Sequence, residues 1–194
     1  MSFFEPAPPP PPERERQWGP PAWDRPSEGT LPAVVPVHEI VHCSDRVVAE
    51  LDYLRVYPNG FTINLFILTN PHLEEAAPAS RILAAGQGHV VHRWPRIGVR
   101  FADGRTAGRE ATFPGHLDVT KDDRGIPTEP ILTMAGGGGG SHGWQFSVWV
   151  FPLPPAGPLE VYVALPAADA VESKVVIDGG LVRSAAERAR VIWS

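Results

Sequence analysis

Residues 46–69, RVVAELDYLRVYPNGFTINLFILT, constrain the fold more than any other stretch of the chain. In the second half, Phe61, Ile63, Leu65 and Ile67 alternate with Thr62, Asn64, Phe66 and Leu68. A period of two sends successive side chains to opposite faces of a sheet. The second set starts polar and ends apolar, which predicts a strand running from a sheet margin into a more covered region. In the first half, Val47, Ala49, Leu51 and Tyr53 share a face, and the phase then changes to Leu54 and Val56. That change predicts a β-bulge near Tyr53–Leu54. Between the halves, Pro58 suits the second position of a type I turn and Asn59 the third, with Gly60 expected to take the positive φ that follows. A ribbon this apolar needs a second sheet to cover it.

The rest of the chain repeats the pattern in shorter pieces. Residues 31–41 are β-branched and interrupted by Pro32 and Pro36, which confines them to a sheet edge or to strand starts. Ile97, Val99 and Phe101 alternate with Gly98, Arg100 and Ala102, and Asp103-Gly104 is the favoured pair for a two-residue hairpin turn into residues 105–113. Further strands are expected at 131–134, 144–151, 159–165 and 173–178. The five glycines at 136–140 read as a flexible hairpin loop, or as a backbone surface that a partner can approach closely. Residues 70–95 form a long connection, with a short helix at 73–85, a short strand at 89–94 and the character of a flap. At the end the period changes. Val182, Ala185, Ala186, Ala189 and Ile192 recur at helical spacing, Asp178 can cap the start, and Trp193 is expected to anchor the helix. The fold expected is all-β: an antiparallel immunoglobulin-like β-sandwich of eight or nine strands with one C-terminal helix.

Proline (23 residues) and glycine (19) are in excess, much of it concentrated in residues 1–30 and a few loops. Residues 1–30 read as a Pro-rich tail, extended or disordered, and residues 31–194 as the sandwich with its helix near 181–192. Pro8 to Pro12 favour polyproline II. Trp18 and Trp23 make the tail either a ligand for a partner's aromatic groove or a leader that folds back, because tryptophan is costly to leave in water. A net charge of −5 without a basic stripe argues against nucleic acid. The single cysteine, Cys43, excludes an intramolecular disulfide, fits a reducing compartment and reads as a structural thiol. Neither a secretory signal nor an apolar run of spanning length is present, so a cytoplasmic location away from membranes is expected.

One motif carries sharp chemistry. His38-Glu39-Ile40-Val41-His42 matches H-E-x-x-H, in which two histidines one helical turn apart bind zinc and the glutamate activates water. The surrounding VVPVHEIVH is β-branched, and Asp45 and Val48 stand where the longer metzincin pattern needs glycine and histidine. The next stretch is a strand pair where a third ligand needs a helix. In a strand, His38 and His42 would still share a face, with His89 and His92 as further donors. The glycine run lacks the Lys-Ser or Lys-Thr of a phosphate loop. Asp118, Asp122 and Asp123 do not fit a calcium loop and read as a solvated turn. Trp144, Trp149 and Tyr162 read as core or sheet-face residues in preference to a ligand platform. No catalytic, cofactor-binding or metal-binding residue is assigned, and no cofactor is expected.

YPNGFTINLFI, FADGR and WVFPLPPAGPLEVYVALPA together resemble a group of uncharacterised bacterial proteins common in high-GC Gram-positives, over most of residues 31–193. The resemblance implies a β-sandwich, with HEIVH as an ordinary strand, and no particular activity. The function expected is that of a non-enzymatic interaction or accessory protein with a protein partner. Its contacts would be the tail and residues 136–143, and sheet edges would allow a homo-oligomer. The alternatives are a zinc-dependent hydrolase using His38, Glu39 and His42, and a small-molecule binder between sheet and flap.

Overall fold

The computed structural model describes residues 21–72, 95–110, 119–168 and 170–193. The proline run, Trp18, the expected helix at 73–85, the expected strand at 89–94, Asp118, His89 and His92 lie outside the described residues.

Alternation writes the sheets. The described strands are β1 (Thr30–Leu31), β2 (Ala33–Cys43), β3 (Val47–Tyr57), β4 (Gly60–Thr69), β5 (Arg96–Arg100), β6 (Thr106–Glu110), β7 (Ile131–Gly139), β8 (Gly143–Phe151), β9 (Pro158–Leu165), β10 (Ala170–Asp178) and β11 (Arg190–Val191). One helix, α1, spans Gly179–Arg188. The strands form three antiparallel sheets. A five-stranded sheet has the order β2-β3-β4-β8-β7, a four-stranded sheet the order β10-β9-β5-β6, and β1 pairs with β11. Among the described residues the protein is therefore mostly β with a single α-helix, as expected, though the strands number more than the eight or nine predicted.

The apolar faces of the two large sheets join in one core. Phe61, Ile63, Leu65 and Ile67 of β4 and Phe146, Val148 and Val150 of β8 are fully buried. They share a cluster with Ile97 and Val99 of β5 and with Leu159, Val161, Val163 and Leu165 of β9. Each such side chain contributes about 1.5–3 kcal/mol on leaving water. β2, which carries Pro36, takes a sheet edge as expected, since proline there removes no ladder bond the sheet needs. The Ser173 hydroxyl donates to the Val41 carbonyl and so joins β10 to β2.

The central hairpin folds as its sequence dictates, with Tyr57 opposite Gly60 and Pro58-Asn59 as the loop. Its bulge falls between Leu51 and Tyr53, at Asp52, slightly before the expected place. Gly60 does not adopt positive φ. It is needed for space: a Cβ there would lie 2.4 Å from the Val150 carbonyl oxygen and 2.7 Å from the Trp149 ring. The β5–β6 hairpin also differs from expectation. Phe101 N donates to Arg105 O and Gly104 N to Phe101 O, so the loop has three residues, with Gly104 at φ +87°.

Two further expectations are overturned. Four of the five glycines expected in a hairpin loop belong to β7, where Gly136, Gly137, Gly138 and Gly139 pair with Ser147, Phe146, Gln145 and Trp144. They pair because β8 offers a continuous ladder, and the backbones run so close that a Cβ on Gly139 would lie 2.1 Å from the Gly143 carbonyl oxygen. At the C-terminus, Asp178 caps α1 as expected, its carboxylate accepting from Gly180 N at 2.8 Å. The helix buries Val182, Ala185 and Ala186 but ends at Arg188, because Arg190 and Val191 leave it to pair with Leu31 and Thr30. Trp193 anchors nothing by its side chain, which is 76% exposed.

Candidate functional site

The outer face of the five-stranded sheet carries polar residues where a solvated face would be ordinary, yet several of them are buried. Register sets them in two rows. Tyr53, Asn64, Ser147 and Gly136 stand opposite one another across β3, β4, β8 and β7, and Arg55, Thr62, Trp149 and Thr133 do so one step along. Asn64 is 2% exposed and Thr133 1%. The β4 margin that its sequence presents as polar is thus the covered end, whereas Phe66 and Leu68 at the apolar end are exposed. The expectation from residue type alone is reversed because hydrogen bonding satisfies the polar end.

That bonding is specific. The Ser147 hydroxyl donates to Asn64 Oδ1 at 2.6 Å, and Asn64 Nδ2 donates to Tyr53 O at 3.2 Å and Thr62 Oγ1 at 3.1 Å. Gln145 Nε2 donates to the Tyr53 hydroxyl at 2.8 Å, and Arg55 Nη2 to the same oxygen at 3.3 Å. Buried polar groups are tolerated only when paired in this way.

Residues 21–28 roof one end of the face. Trp149 Nε1 donates to Trp23 O at 2.8 Å, Trp23 Nε1 to Gly125 O at 3.0 Å, and Lys121 Nζ lies 4.8 Å from the Trp23 ring centre. Asn59 in the hairpin loop donates to Ala22 O and Arg25 O and accepts from Ser27 N and Oγ. The Trp23 end of the expected tail therefore folds back onto the domain.

Between this roof and β7 lies a groove of about 610 Å³. Its floor includes Asn64, Gln145, Ser147 and Trp149, its rim Asp24, Arg25 and Arg55, and its far lip Gly136, Gly137 and Gly138. Tyr57 and Trp149 meet edge to face at 5.9 Å. Burial pushes the Tyr57 phenol above its ordinary value, only partly offset by the Arg55 charge, so it is a neutral hydrogen-bonding group. On the far side of the sheet order, β7 is an edge, and no strand pairs with that edge among the described residues.

The zincin arrangement is absent because HEIVH lies in β2. Its two register breaks also part the histidines. His38 falls in the break between Pro36 and Glu39, at φ +56°, with Nδ1 3.0 Å from Glu50 Oε1. His42, beyond the second break, stands opposite core-facing Ala49, with its Nε2 buried and without a hydrogen-bond partner among the described residues. Glu39 is exposed. Cys43 is an exposed free thiol. Asp122 takes part in a turn, its Oδ1 accepting from Arg124 N and Ile126 N.

Sequence reasoning missed the Tyr53–Asn64–Gln145–Ser147 network. Its signal was an asparagine in the middle of an apolar strand, with glutamine and serine at alternate positions of another. Only pairing β4 with β8 reveals that they meet. Comparison with protein-family models, curated proteins and solved structures finds no match for this chain.

Proposed function

We propose that this chain is a non-enzymatic immunoglobulin-like β-sandwich that works as a protein-interaction module, taking an extended peptide segment of a partner along β7. One observation carries the reading: the sheet ends in a strand whose last residues are exposed glycines, and that strand is the lip of a polar groove. An open edge presents unpaired backbone N–H and C=O groups that an added strand can satisfy. Glycines remove the side chains that would hold such a strand away. The groove beside them supplies Arg55, Gln145 and Ser147 for the incoming side chains, and Tyr57 and Trp149 for a flat or apolar one.

The test is selection of binding peptides by the purified full-length chain, followed by amide hydrogen exchange. The expected result is peptides of extended type that slow exchange at Gly137 and Gly138. Gly138→Glu places its side chain in open space, since no atom lies within 4 Å of a Cβ there. It should leave the melting temperature unchanged and abolish binding. Peptides that bind Gly138→Glu as well as the parent would overturn the proposal.

A groove of this volume also suits a small polar molecule. A ligand that protects the Asn64 and Ser147 amides while leaving those of Gly137 and Gly138 unprotected would favour that second reading.

A further inference from the structure

A second constellation on the outer face lies off the groove, at the β2 edge. His38, Glu50 and Asp52 each offer one donor atom, and the three atoms lie within 4.8 Å of one another. His38 Nδ1 is 3.0 Å from Glu50 Oε1 and 3.5 Å from Asp52 Oδ1. We propose that these three side chains bind a divalent first-row transition ion.

The argument starts from the strands. Glu50 sits in regular pairing opposite Ile40 and Phe66. His38 and Asp52 do not: each occupies a register break, one in β2 and one in β3. A bulge re-aims the side chain it carries. Two bulges on neighbouring strands here turn an imidazole and a carboxylate towards a third donor between them.

Charge points the same way. Glu50 and Asp52 are both partly buried, with side chains 32% and 28% exposed. Among the described residues no lysine or arginine pairs with either. Among the described residues, the His38 imidazole is the one basic side chain within ion-pairing distance of them. A divalent cation would satisfy both carboxylates at once.

Geometry supplies the third argument. Ligands at about 2.1 Å from an ion stand about 3.0 Å apart at octahedral angles and about 3.4 Å apart at tetrahedral angles. The Glu50 contact of His38 is at the octahedral separation and the Asp52 contact near the tetrahedral one, so a shift of a few tenths of an ångström brings both into one geometry. One imidazole nitrogen with two carboxylate oxygens suits Zn²⁺ or Mn²⁺, whereas Ca²⁺ and Mg²⁺ prefer oxygen alone. The His38 side chain is 66% exposed, which leaves the remaining positions to water or to an anionic group of a ligand.

The experiment uses the full-length chain and Zn²⁺ itself. Equilibrium dialysis followed by elemental analysis should give about one zinc per chain at about 100 µM free ion or below, with a raised melting temperature. The His38 ring nitrogen resonances should shift on titration. His38→Ala and Asp52→Asn should each weaken binding at least about tenfold, the size expected on losing one of three ligands. Glu39→Gln, outside the cluster, should not. His38 is exposed, and Asp52→Asn keeps the shape of a side chain that is only partly buried, so both variants should fold. Zinc that binds His38→Ala and Asp52→Asn as it binds the parent, or no saturable binding in that range, would overturn the assignment and leave an ion pair.

Discussion

The indole nitrogen of Trp149 donates to the backbone carbonyl of Trp23 at 2.8 Å, across 126 positions of the chain. The contact explains how a tryptophan on the outer face of a sheet can be 1% exposed. The roof over it is held by Asn59, which makes its four bonds to Ala22, Arg25 and Ser27 from the hairpin loop. Asn59→Ala removes them together. The expected loss is about 1–3 kcal/mol in denaturant unfolding, since a bond nets about 0.5–1.5 kcal/mol and water takes up the groups freed at the exposed bonds. Cleavage after Trp23 by chymotrypsin should accelerate in the same variant. Unchanged proteolysis would mean that the segment is held by Trp23 alone.

Two glycines at hairpin turns, Gly60 closing one and Gly104 within the other, should respond differently to alanine. At Gly60 a Cβ would collide with the Val150 carbonyl and the Trp149 ring, neither of which can move without opening β4–β8. Gly60→Ala should cost about 1–3 kcal/mol, the range of overpacking. Gly104 has open space around it but φ +87°. Gly104→Ala should cost about 1–2 kcal/mol from backbone strain alone. Gly104→Asn should recover part of that loss, whereas Gly60→Asn should recover none. Thermal unfolding of the four variants checks the pattern.

The core strands were legible because period two survives any tertiary context: residues 61–67 and 159–165 name their own buried faces. The bulge was legible as a phase change, though its position was not, because Asp52 has no apolar identity to mark it. What escaped was pairwise. The glycines at 136–139 carry no side-chain pattern, so nothing in them announces a strand; β8 creates it by offering a ladder. Asn64 and Ser147 are 83 positions apart, and their hydrogen bond exists only once β4 and β8 are in register. The C-terminal periodicity ran on past Arg188, but Arg190 and Val191 gain strand partners in Leu31 and Thr30 that a helix would deny them. His38 was singled out for the wrong partners, since its neighbours in space, Glu50 and Asp52, belong to the next strand.

Asn64 and Ser147 should behave as a unit. Ser147→Ala leaves Asn64 Oδ1 without its 2.6 Å donor in a residue 2% exposed. A cost of about 1–3 kcal/mol follows for the unmet acceptor. Asn64→Asp keeps the acceptor but brings a charge to a buried position and loses the bonds to Tyr53 O and Thr62 Oγ1. It should therefore be the more damaging single change. A double-mutant cycle combining Asn64→Ala with Ser147→Ala should show coupling of about 0.5–3 kcal/mol. Additive effects would place the stabilising contact elsewhere.

The outer face of the other sheet supplies a pH-dependent prediction. Glu160 accepts from the Tyr162 hydroxyl at 2.6 Å, from Arg100 Nε at 2.6 Å and from Lys174 Nζ at 3.3 Å. The Tyr162 bond first, then Arg100 and Lys174, hold its carboxyl below the ordinary glutamate value, against desolvation acting the other way. The same bond raises the Tyr162 phenol. A carboxyl depressed in the folded state binds fewer protons folded than unfolded, so stability rises with pH through its titration. The contribution is complete above the unfolded value of about 4.3 and fades as pH falls through the folded one. Glu160→Gln removes the charge and with it this dependence. Its melting temperature should lie below the parent's at pH 7, and the gap should narrow steadily below about pH 4.5 as the parent's carboxyl takes up its proton. A gap that stays constant down to pH 2.5 would show that Glu160 acts through packing and neutral hydrogen bonds, and that its three donors are not held by its charge.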